Sequence, residues 1–114
     1  MYVDIVFEGK ITKDLPLFNL GEYGQVLGFT VRNDDKSLYN LSTATVLIYA
    51  KELNNLNKYL INGNNCTLVT PASGTCQYTI SSMDLTKPGS YECYLLIAKT
   101  SFTEKVSLGF LNIF

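Results

Sequence analysis

A chain of 114 residues has the ordinary size of one domain, and residues 1–114 are expected to form a single one. Hydrophobic residues at 46% and charged residues at 17% exclude a disordered chain. Nine basic residues, scattered without a basic run, face ten acidic ones; the net charge of −1 leaves no electrostatic basis for a nucleic-acid partner.

YVDIVF (2–7) is the first β-rich run, and Asp4 and Glu8 interrupt any apolar leader, so no signal peptide is read here. GEYG (21–24) punctuates the approach to QVLGFTV (25–31), whose alternation puts Leu27, Phe29 and Val31 on one face. RNDDKS (32–37) reads as a turn. Asn33-Asp34-Asp35 has the look of a calcium-loop fragment, but no acidic cluster follows at the required spacing. TATVLIYAKE (43–52) is the third run, followed by an Asn-rich connection over 53–58.

YLI (59–61) is a short strand that NGNN (62–65) is expected to end, since Asn and Gly tolerate positive φ. CTLVT (66–70) and TCQYTI (75–80) flank PASG as a hairpin. SSMDLTKPG (81–89) is a crossing loop with room for one helical turn. YECYLLIAKT (91–100) and KVSLGFLNIF (105–114) are the last strands. Seven to eight short strands separated by turn signals predict an all-β, immunoglobulin-like sandwich of antiparallel strands. No run approaches the roughly 20 apolar residues of a membrane span, and no membrane partner is expected.

Tyr91 stands two residues before Cys93, directly after the crossing loop. Immunoglobulin-like sandwiches place there the tyrosine that bonds back across the E–F corner, and Pro88-Gly89 supplies the bend. Cys66, Cys76 and Cys93 all lie in the second half of the chain, so strand B offers Leu27 or Phe29 where a partner cysteine would stand. The inter-sheet disulfide is therefore expected to be absent, with three free thiols acting as small core residues. A Cys66–Cys76 bridge across the hairpin stays open as an alternative. With no CxxC pair and no histidine, neither a metal nor another cofactor is expected. Histidine's absence also removes the commonest general base. Asp84 and Glu92 flank the corner without a local reason for altered acidity, so no catalytic residue is assigned and the chain reads as a non-enzyme.

FNLGEYGQVLGFTVRNDDKSLYNLSTATVLIYAKE resembles the opening of the Ig-like N-terminal domain of phage upper baseplate proteins, the BppU type. Leu41–Val46 matches that family's "dLtgAtV"-like strand start, and Lys51 or Glu52 its charged close. Gly74-Thr75-Cys76-Gln77-Tyr78 matches its G-x-V-x-Y strand, with Cys76 for the usual aliphatic residue, and Pro88-Gly89-Ser90-Tyr91-Glu92 matches its corner. The resemblance covers residues 17–114. It implies a virion structural protein, assembled in the host cytoplasm and present in several copies. Such a module docks on the tail hub or anchors fibre or receptor-binding proteins; its partners are other virion proteins and copies of itself. A carbohydrate- or host-receptor-binding adhesin and a capsid decoration protein remain alternative readings.

Strands C, F and G share a sheet in this fold. With Tyr91, Cys93, Leu95 and Ile97 facing the core, Tyr94, Leu96 and Ala98 face outward; with Val46 and Ile48 inward, Leu47 and Tyr49 join them. An exposed sheet face is ordinarily polar. Leu47, Tyr49, Tyr94 and Leu96 are therefore read as a protein–protein interface, or as a face that segment 9–24 of the same chain covers.

Overall fold

Alternation along each strand decides which side chains meet between two sheets. The computed structural model describes residues 1–54 and 57–114; residues 55 and 56, within the expected Asn-rich connection, lie outside it. The strands are β1 (Tyr2–Phe7), β2 (Lys10–Thr12), β3 (Val26–Arg32), β4 (Thr45–Glu52), β5 (Tyr59–Asn65), β6 (Thr67–Thr70), β7 (Thr75–Thr79), β8 (Gly89–Ala98) and β9 (Thr103–Ile113). They form two antiparallel sheets, ordered β2-β1-β3-β7-β6 and β5-β4-β8-β9. With β1, β3, β7 and β6 as A, B, E and D, and β5, β4, β8 and β9 as C′, C, F and G, this is the immunoglobulin-like order.

The structure has nine strands among the described residues where seven to eight were expected. The addition is β2, which folds back on β1 with Phe7 opposite Lys10. Glu8 (φ 51°) and Gly9 (φ 78°) make the two-residue connection, both left-handed, as a type I′ hairpin requires. Glu-Gly is not the usual Asn-Gly or Asp-Gly signal for that turn, and Lys-Ile-Thr is too short to show alternation.

NGNN does not end its strand. β5 runs on to Asn65, with Asn62 opposite Tyr49 and Asn64 opposite Ile48, leaving Gly63 as the extra residue of a bulge at φ 76°. Tolerance of positive φ serves a bulge here instead of a turn. The chain then changes sheets at Cys66. Its N–H bonds to the Val46 carbonyl at 2.8 Å, while Thr67 already pairs with Gln77 in the other sheet.

The 66–70/75–80 hairpin forms as expected, closed by a 3-10 turn at Pro71–Ser73. Gly74 follows at φ 72°, donating its N–H to the Pro71 carbonyl at 3.0 Å and accepting the Val31 N–H at 2.9 Å. A Cβ at Gly74 would lie 2.6 Å from both the Val31 and Tyr39 carbonyl oxygens. The Leu41 N–H also bonds to the Pro71 carbonyl, at 2.8 Å, so this turn fastens the β3–β4 loop.

The crossing loop 81–89 contains no helical turn. A tight turn closes it instead, with the Asp84 N–H on the Ser81 carbonyl at 3.1 Å. The Asp84 carboxylate, only 3% exposed, accepts the Ser81 N–H at 2.8 Å and the Tyr78 hydroxyl. A buried carboxylate persists only when such donors replace water.

The core joins Ile5, Leu27, Phe29, Val31 and Cys76 of one sheet to Val46, Ile48, Cys93, Leu95 and Ile97 of the other. All three cysteines are free and buried. A native disulfide stabilises by about 2–4 kcal/mol. Burying one large aliphatic or aromatic side chain contributes about 1.5–3 kcal/mol, so Leu27 and Phe29 together offset its absence. Segment 13–24 covers one end of the seam between the sheets. Phe18 is buried there and bridges Ile113 in parallel.

Gly74→Ala combines left-handed strain with a clash against two fixed carbonyls, and we predict a loss of about 2 kcal/mol or more. Urea denaturation checks this, and an unchanged midpoint would contradict the placement of the turn.

Candidate docking face and the corner that sets it

The phase of β8 decides what the four-stranded sheet shows to solvent. It is set at the corner: the Tyr91 hydroxyl donates to the Lys87 carbonyl at 2.7 Å, with the ring 2% exposed. Gly89 holds φ 142°, a conformation that favours glycine, immediately after Pro88. Lys87 itself pairs with Glu52 at 2.5 Å, tying the corner to the end of β4. Burial, and next the Glu52 carboxylate, push the Tyr91 phenol above its ordinary range.

With this phase fixed, Tyr91, Cys93, Leu95 and Ile97 point into the core, and Leu96 and Ala98 are half-buried on the other face. The register sets Leu47 opposite Leu96 and Tyr49 opposite Tyr94. All four expected face residues are thus brought together. The Tyr49 and Tyr94 rings stack with centroids 5.0 Å apart and planes 13° apart. Tyr59 on β5 meets the Tyr49 ring edge-on at 5.8 Å, and the Lys105 ammonium on β9 lies 4.1 Å from the Tyr94 centroid. One row, Tyr59–Tyr49–Tyr94–Lys105, therefore crosses all four strands. Stacked and cation–π pairs of this kind each contribute about 0.5–1.5 kcal/mol.

Gly63 makes room for that row. A Cβ there would sit 2.9 Å from the Tyr49 hydroxyl oxygen, so the β5 bulge is also the place where the ring lies against backbone. A second bulge, at Gly109 (φ 82°), adjusts β9, where Cys93 pairs with Gly109 but Tyr94 pairs with Ser107. One extra residue reverses the facing of everything beyond it. That reversal lets Val106 and Leu108 bury on one side of the bulge and Leu111 and Ile113 on the other, and it turns Phe110 outward.

The residues differ in how much they present. Tyr94 is only 9% exposed, covered by its own neighbours, and acts as the floor of the row instead of a contact tip. Burial, with a hydrogen bond shared with Tyr59, pushes its phenol up to about 12. Leu47, Tyr49 and Leu96 are half-buried, while Tyr59 at 37% and Phe110 at 57% are the more open members. Sequence reasoning missed those two. Alternation within 105–114 misassigns Phe110 unless the bulge is known, and Tyr59 stood in a run too short to show a face.

Segment 9–24 meets the sheet that carries this face at the end of β9, where Phe18 pairs with Ile113. Its backbone bonds run to β1, to Asn112 and Phe114, and to Ile80 and Leu85. Among the described residues, no group of three or more side chains is arranged to hold a metal ion. The Asp35 carboxylate accepts the Ser37 N–H at 3.0 Å and the Ser37 hydroxyl; those bonds hold its pKa below the ordinary carboxylate value. Asp34 pairs with the N-terminal ammonium, and 33–37 is a turn. Burial raises the Cys93 thiol to about 12, and Cys66 is raised by its hydrogen bond with Cys76 and by burial, so both are poor nucleophiles at neutral pH. No described helix is long and apolar enough to cross a membrane. No family model matches the chain, and no curated protein sequence matches it.

An unfolded tyrosine titrates near 10. Folding raises Tyr94 to about 12, so its contribution to stability is complete below pH 10 and is lost as pH rises from 10 through 12. We predict that wild type loses more stability than Tyr94→Phe over that interval, measured by urea midpoints at its two ends. Equal losses would place Tyr94 in an open environment.

Proposed function

We propose that the chain is a structural module of a bacteriophage virion, a tail or baseplate component that joins copies of itself and other virion proteins by protein–protein contact. The observation that carries this reading is the outer face of the β5-β4-β8-β9 sheet. Where an ordinary sheet face is polar, Leu47, Tyr49 and Leu96 surround the buried Tyr94, and Tyr59 and Phe110 extend the apolar area.

Aromatic side chains over a stiff floor suit an interface, because little side-chain freedom remains to be lost on contact. The tail or baseplate assignment draws further support from the resemblance of 17–114 to upper baseplate Ig-like domains. A carbohydrate platform is favoured less, since it needs an open aromatic surface and the Tyr94 ring is covered by Tyr49 and Lys105.

Sedimentation velocity tests the contact. Wild type is expected to self-associate at high micromolar concentration, and Leu96→Glu with Phe110→Glu to return it to monomer with an unchanged far-ultraviolet spectrum. A monomer at every concentration removes self-association from the reading. Gold-labelled antibody against the chain is expected to mark the tails of purified phage particles; unlabelled particles, or label on heads only, remove the tail assignment.

A further inference from the structure

A second surface, separate from the tyrosine face, lies on the side of the sandwich where β1 and β9 approach each other. The seam there is closed along only part of its length. At one end β2 pairs with β1, but it stops at Thr12 opposite Ile5. Phe18 and Leu20 pair with β9, but only at Asn112 and Phe114. Beyond both, Tyr2–Asp4 pair with β3 on one side and, among the described residues, with no strand on the other. Facing them across a groove of about 790 Å³ is Ser107–Gly109 of β9. That volume falls within the range of established binding sites, about 300–1,000 Å³.

The two margins are not equivalent. On β9 the groove meets the bulge, and the Gly109 N–H is already taken by the Ser107 hydroxyl at 3.1 Å. Bulges of this kind blunt an edge. On β1 no such device is present at Tyr2–Asp4, and β2 demonstrates that the same edge accepts an antiparallel strand.

The charges on the rim favour one sign. Arg32 is spoken for, with its Nε on Asp4 at 2.9 Å and its Nη1 on the Lys36 carbonyl at 3.0 Å. Asp34 is held by the N-terminal ammonium. Lys13, the residue at which the chain leaves β2, and Lys36 also line the groove, and among the described residues neither forms an ion pair. The acidic groups are neutralised, and two ammonium groups are left over.

We propose that this open half of the seam is a docking groove for an extended, acidic segment of a partner protein. The segment adds as a strand to β1 where β2 ends and sets carboxylates against Lys13 and Lys36. Main-chain bonds to Tyr2–Asp4 supply adhesion, and the two lysines select the sign of the incoming side chains. The buried Val3 and Leu108 give the groove an apolar floor for alternate side chains of the segment.

The test uses the isotopically labelled full chain and two end-capped heptapeptides, one alternating glutamate with valine and the other lysine with valine. In low salt the acidic peptide is expected to shift the amide resonances of Tyr2–Asp4 and to bind about tenfold more tightly than the basic one, as two exposed ion pairs allow. Lys13→Glu with Lys36→Glu is expected to reverse that order, and both lysines are solvent-exposed, so the fold tolerates the change. Shifts elsewhere with none at Tyr2–Asp4, no binding by either peptide, or an order unaffected by charge reversal would each overturn the proposal. None of those outcomes bears on the tyrosine face, which Leu96→Glu and Phe110→Glu probe on a different part of the molecule.

Discussion

A strand has only two faces, so a single contact that fixes one residue's direction fixes the direction of every other residue until a bulge intervenes. In this chain that contact is the bond from the Tyr91 hydroxyl to the Lys87 carbonyl. It sits at the start of β8, the strand that pairs with both β4 and β9. Through those pairings the corner places Cys93, Leu95 and Ile97 in the core and puts Tyr94 beneath Tyr49. Its own worth, about 1 kcal/mol for one hydrogen bond, is small beside what it organises. The rest comes from burial that occurs only when the phase is right.

The bulges at Gly63 and Gly109 are the complement of that constraint. A continuous two-residue period along β9 would bury Leu111 and Ile113 but send Leu108 and Val106 into water. Inserting one residue recovers both pairs for the core. At Gly63 the insertion has a different use: the missing Cβ leaves space for the Tyr49 hydroxyl, so the tyrosine row crosses an otherwise Asn-rich strand. Both positions need φ near +80°, which only glycine adopts without strain. The outer face is therefore a consequence of backbone irregularities as much as of its own side chains.

This explains what the amino-acid sequence made legible and what it did not. Long runs with clean alternation, such as 25–31, 43–52 and 91–98, revealed their facing, and with it Leu47, Tyr49, Tyr94 and Leu96 as neighbours. The corner was legible because Pro-Gly-x-Tyr combines a bend with a residue whose hydroxyl must find an acceptor. NGNN was misleading, because Asn and Gly permit positive φ without saying whether the chain reverses or merely bulges. Exposure was harder still. Tyr94 points outward as alternation demands, yet neighbours from three other strands cover it, and a one-dimensional pattern carries no information about such lateral cover. The open seam was invisible for the same reason, since it is defined by where β2 stops against β1.

Two surfaces with different physics follow from this architecture. The tyrosine face is apolar and stiff, and contact there gains from area; the seam offers a stretch of β1 edge and two lysines that, among the described residues, have no strand and no ion-pair partner, and contact there gains from register and charge sign. On the virion reading, the division suits a repeated component. Identical copies can share one kind of surface while a different protein engages the other, and neither contact needs to be tight alone, because several weak attachments held on one frame multiply in effect. On the proposed reading, the groove's preference for an acidic segment also bears on the hazard of an open edge. The chain's own exposed β5 and β6 edges carry no Asp, Glu, Lys or Arg between Tyr59 and Thr70, so they offer no carboxylates to Lys13 and Lys36. On that reading, such neutral edges gain no ion pairs in the groove and bind it less well than an acidic segment does.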